Sequence, residues 1–68
     1  MLKAKLENGT VKATNYDDGI AEGIRLTLTD KNRNESEIAL DILKDTGKAR
    51  AIIYKVGSDE PDTIISLN

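Results

Sequence analysis

The sequence predicts a small all-β domain: an antiparallel meander of about six short strands, barrel-like or folded into two layers. Three observations carry that expectation. Apolar and polar residues alternate with a period of two through Leu2–Leu6, Thr10–Thr14 and Ile24–Thr29. Compact turn signals separate the apolar runs, at Asn8-Gly9, Asp45-Thr46-Gly47 and Gly57-Ser58. Only one segment, 35–45, fits a helix as well as a strand.

The first two strands form the clearest pair. Asn-Gly between alternating runs is a strong hairpin signal, because both residues tolerate the positive φ of a type I′ turn. The expected register sets Leu6 against Val11, Lys5 against Lys12 and Ala4 against Ala13. Leu2, Ala4, Leu6, Val11 and Ala13 then share one face. NYDDGIAEG, residues 15–23, carries two glycines and three acids and reads as a connection. Ile20 and Ala21 are expected to return to the core there. Ile24, Leu26 and Leu28 alternate with Arg25, Thr27 and Thr29 as a half-buried third strand.

DKNRNESE, residues 30–37, is eight polar residues between apolar runs. A helix over 35–45 would have Asn34 as its N-cap, Glu37 three residues on and Gly47 as its stop. Leu40 would then lie in water, away from the stripe of Ile38, Ala39, Ile42 and Leu43. As a strand, the segment aligns Ile38, Leu40 and Ile42 against Leu28, Leu26 and Ile24. The strand is preferred and α+β with one helix is the alternative; burial of Leu40 is the expected discriminator. Asp45–Lys48 would turn into a strand over Ala49–Val56, whose consecutive Ile52 and Ile53 suggest apolar surroundings on both faces. GSDEPD is a loop, and Thr63–Leu67 a last strand.

The chain of 68 residues reads as a single small domain, 1–68. It has neither cysteine nor histidine, which removes disulfides, the usual zinc sites, thiol nucleophiles and imidazole bases. No cofactor is expected. A net charge of −2 points neither to a polybasic nucleic-acid binder nor to a strongly acidic mimic. No apolar run nears the roughly 18 residues of a membrane span, and MLKAKLENG lacks a signal-peptide core. A cytoplasmic protein is the expectation.

Candidate sites are few. Asp30, Asn32 and Asn34 have the spacing that opens a calcium loop, but Glu35 stands where glycine is needed and Asp41 where a bidentate glutamate is needed. The acids Asp59, Glu60 and Asp62 follow no ligand spacing. Asp17 and Asp18 are adjacent, so an extended chain points them apart. Ser36, Ser58 and Ser66 have no histidine to activate them.

Lys3, Lys5 and Lys12 share the outward face of the first hairpin, an anion or nucleic-acid surface that Lys48, Arg50 or Lys55 could join. The same lysines also blunt an edge strand against aggregation. Ile64 points opposite to Ile65 and Leu67, so this end of the chain is a candidate subunit or partner contact. The composition therefore points to a non-enzymatic binding protein, an accessory, regulator or inhibitor of bacterial or phage type that self-associates. Its expected partner is another protein or a second copy of itself. The alternative is a nucleic-acid-binding small β-barrel using the lysine face.

Overall fold

Every strand of the computed structural model, which describes residues 2–68, pairs antiparallel with its neighbours in the chain. The strands are β1 (Leu2–Leu6), β2 (Gly9–Asp17), β3 (Ala21–Asp30), β4 (Glu35–Leu43), β5 (Ala49–Tyr54) and β6 (Pro61–Ser66). They lie in one sheet in that order, and the backbone of each described strand pairs only with its chain neighbours. All six expected strands are present.

The sheet is neither closed into a barrel nor backed by a second layer; β1 and β6 are its free edges. A barrel or second layer is the usual way for a sheet to cover an apolar face. The described residues supply no such cover here, and long polar side chains close only the opposite face.

The 35–45 helix does not form, because β4 runs through it. Leu40 is nevertheless 40% exposed, so its burial is not the discriminator expected. It lies on a sheet face that no other described element covers. The stretch from Asp30 is the turn of the β3–β4 hairpin. The Asp30 carboxylate accepts the Asn32 and Asn34 amides at 2.8 and 2.9 Å. Arg33 takes the left-handed conformation at φ 67°.

Both expected registers are two residues off. β1–β2 pairs Leu2 with Ala13, Lys3 with Lys12, Ala4 with Val11 and Lys5 with Thr10. β3–β4 pairs Ile24 with Leu40 and Leu26 with Ile38. A slip of two preserves the face of every side chain, so the expected grouping of residues survives. The first slip arises because the turn is Glu7-Asn8 and Gly9 already belongs to β2. Neither Asn8 nor Gly9 has positive φ, so the turn is not type I′. Gly9 serves another need: a Cβ there would collide with the Thr29 carbonyl oxygen and lie 3.0 Å from Asp30 Cα. The second slip follows from the Asp30 turn, which closes earlier than expected.

The expected connection at 15–23 shrinks to Asp18-Gly19-Ile20, with β2 and β3 extended into its ends. Asp18 accepts the amides of Ile20 and Ala21, both at 2.9 Å. Ala21 is fully buried as expected, whereas Ile20 is exposed. Gly47 at φ 73° completes the β4–β5 turn, donating to Leu43 O at 2.8 Å.

Candidate interaction surface

Strand alternation and the five registers divide the side chains between two faces. On one, a row runs from Tyr16 through Gly23 and Asp41 to Arg50 and Ser66. Gly23 has no side chain, so Tyr16 reaches across β3 and its hydroxyl donates to Asp41 Oδ2. Arg50 closes the same carboxylate from the other side, with Nε 2.7 Å from Oδ1 and Nη2 3.1 Å from Oδ2. Fork-shaped pairing of this kind fixes geometry as well as charge. A Cβ on Gly23 would collide with Leu40 O and lie 2.6 Å from Asp41 Cα.

The charges of this clamp are locked. The hydrogen bonds from Arg50, aided by that from Tyr16, hold the Asp41 carboxyl below its ordinary range against the effect of burial. Burial and the Asp41 acceptor push the Tyr16 phenol far up. Contact with Asp41 raises Arg50 further. Satisfied by two donors, the carboxylate ties β2, β4 and β5 together.

A second cluster on this face centres on Arg25. Its Nε donates to Glu37 Oε2 at 2.9 Å and its Nη2 to Asp59 Oδ1 at 3.0 Å, while its guanidinium sits 4.3 Å from the Tyr54 ring centre. Such stacking adds about 0.5–1 kcal/mol at exposed sites. Together the clusters tie β2, β3, β4, β5 and the β5–β6 loop. Ala21 and Ala39 are fully buried, Asp41 is 4% exposed and Ile52 5%. All four lie on this polar face.

The opposite, aliphatic face has no comparable cover. Leu2, Leu6, Leu28, Leu40, Ile42, Ile53, Ile65 and Leu67 all lie there and are all exposed. Val11, Ile24, Leu26 and Ile38 are half-buried among them. No side chain of this face is buried. Its charged residues stand at the two ends of the strands: Asp30 at one, Asp17 and Glu22 at the other. Asp17 is paired with Lys44 at 2.7 Å, which lowers the carboxyl and raises the amine. A shallow depression of about 620 Å³ at that end is lined by Asn15, Ile24 and Ile42 among others.

The residues singled out in the sequence are placed as follows. Lys3, Lys5 and Lys12 do share the polar face, and the facing pair is Lys3 with Lys12. None of the three forms an ion pair among the described residues. Arg50 and Lys55 do not join them: Arg50 is held by Asp41, and Lys55 faces Glu60 at 3.8 Å. Both tyrosines are engaged, one over Gly23 and one under Arg25. Ile65 and Leu67 belong to the aliphatic face, while Ile64 points the other way, opposite Ile52. All three are exposed.

Asp30 is occupied with turn amides, and the Asn34 amide of that box holds its carboxyl below the usual range. Asp59 is paired with Arg25, and Glu60 with Lys55. No group of three acids is placed to hold a metal among the described residues, and no helix there is long and apolar enough to cross a membrane.

Sequence reasoning missed the Tyr16–Asp41–Arg50 clamp. Its signal was present: an aspartate inside IALDIL needs a partner, and the short Asp45–Lys48 turn brings Arg50 opposite Asp41. Comparison with protein-family models, curated proteins and solved structures gave no match to this chain.

Proposed function

We propose that this chain is a non-enzymatic interaction protein, an accessory, regulator or inhibitor that binds another protein through the aliphatic face of its sheet. The observation that carries this reading is the bare face itself. Eight large aliphatic side chains are exposed on one side of a single sheet, and contiguous apolar surface of that kind marks a site of association. Apolar residues fill its centre and polar ones its ends, the layout of a protein interface.

The test is site-specific photo-crosslinking in the native host, with a benzophenone side chain in place of Leu40 or, as a control on the polar face, Lys12. Cross-linked protein at position 40 in excess of position 12 is the expected result. Equal or absent crosslinking at both overturns the reading.

A second reading rests on Lys3, Lys5 and Lys12, clustered without acidic partners. Nucleic acid would be bound there through phosphate, and affinity for an oligonucleotide would fall steeply with salt. With both tyrosines occupied, the face lacks free stacking platforms for single strands. Loss of affinity in the Lys3/Lys5/Lys12→Glu variant would support it; no binding at low salt would sink it.

A further inference from the structure

Resting on the reading of the aliphatic face as the working surface, we infer that its occupant is a second copy of this chain, packed face to face as the missing layer of a two-layer sandwich. The first reason is area. The chain exposes 5157 Å², whereas a folded monomer of 7.4 kDa exposes about 4200 Å². The surplus of roughly 950 Å² is comparable to what one partner contributes to a standard interface, about 800 Å². The Cα radius of gyration, 12.8 Å, likewise exceeds the roughly 11 Å expected of a compact chain this long. One further layer of this size removes the surplus.

Charge is the second reason. No lysine or arginine of the six strands lies on the aliphatic face; Lys3, Lys5, Lys12, Arg25 and Arg50 all point the other way. The centre, around Leu26, Leu40 and Ile53, holds no charge at all. A two-fold packing about it therefore buries no charge at its centre and leaves Asp30, Glu22 and the Asp17–Lys44 pair at the rim, while acids at the ends disfavour an anionic lipid surface or nucleic acid there.

Relief is the third. Ala13 on β2 and Ala49 and Ala51 on β5 leave recesses beside the large side chains of β3 and β4. Alternating large and small residues is what allows the inner faces of two aligned sheets to interdigitate about 10 Å apart.

The experiment is sedimentation equilibrium of the purified chain over a thousandfold concentration range, joined to thiol protection. The sequence has no cysteine, so Leu40→Cys and Lys12→Cys each introduce a single reporter. Expected are a mass of twice the chain's at high concentration and labelling of Cys at 40 by a bulky maleimide at least tenfold slower than at 12. That protection should vanish on dilution in step with dissociation. Leu40→Lys should give a monomer whose far-UV circular dichroism retains the strand spectrum.

A chain that stays monomeric with position 40 freely labelled overturns self-association. So does a dimer with position 40 freely labelled, since it would use another surface. Crosslinking in the host to a heavier protein would then still leave the face as a binding surface, so the two conclusions fail separately.

Discussion

The two faces of this sheet invert the usual relation between polarity and burial. The face carrying arginines, acids and tyrosines contains every buried residue among those described: Ala21, Ala39, Asp41 and Ile52. The face of leucines and isoleucines contains none. The difference teaches that a single sheet can close one side with long side chains that hydrogen-bond across strands. It cannot close a side of short aliphatic chains without another layer. The polar face ties the strands of one chain together, and the aliphatic face keeps its large side chains exposed.

That contrast breaks most sharply at Gly23. Gly23→Val places atoms against backbone of β4, which cannot yield, and lifts Tyr16 from its position. Urea unfolding should show a loss of about 3 kcal/mol, the upper end of overpacking costs. A loss below about 0.5 kcal/mol would mean the clamp does not organise the polar face.

Asp41→Ala comes next, at about 2 kcal/mol, because it strands Arg50 and the Tyr16 hydroxyl without an acceptor. Its pH dependence has a definite sign. Asp41 titrates lower folded than unfolded, so its contribution is present above the ordinary aspartate range, near pH 4. It is lost as pH falls through the lowered folded value. Unfolding midpoints measured from pH 6 to pH 2 should therefore fall less steeply in Asp41→Asn than in the parent.

Tyr16→Phe removes one hydrogen bond and keeps the ring over Gly23. A loss of about 1 kcal/mol by the same measurement is expected. Leu2→Thr, at a side chain on the aliphatic face of edge strand β1 and 73% exposed, should change the stability of the dilute chain by less than about 0.5 kcal/mol. An effect larger than that of Tyr16→Phe would show that the aliphatic face already supports the monomer.

Much of this division was legible in the sequence. Period-two alternation assigned the side chains of β1 to β4 to the correct faces although two registers were wrong, because a slip of two residues leaves faces unchanged. What was not legible was cover. The sequence shows that Leu40 belongs with Leu26 and Ile24, but not whether anything lies over them; its exposure was therefore misjudged as evidence for a helix. Gly23 and Gly9 read as turn residues because glycine's commonest role is conformational. Here each answers to a neighbouring backbone in the next strand, a long-range fact that no local pattern displays. Of the candidate contact at the end of the chain, Ile65 and Leu67 fall on the bare face and Ile64 does not.

The order of the strands has a kinetic and mechanical consequence. Because each strand's backbone pairs only with its neighbours in the chain, the sheet can be built hairpin by hairpin, with the Tyr16–Asp41 and Arg25–Tyr54 contacts as the ties that skip a strand. The molecule behaves as a short linear array, in the manner of repeat proteins. The two polar clusters fasten β2 to β5, so β1 and β6 are held mainly by a single ladder each. Opening should begin at those outer strands and move inward, and the backbone amides of β3 and β4 should be the last to exchange with solvent.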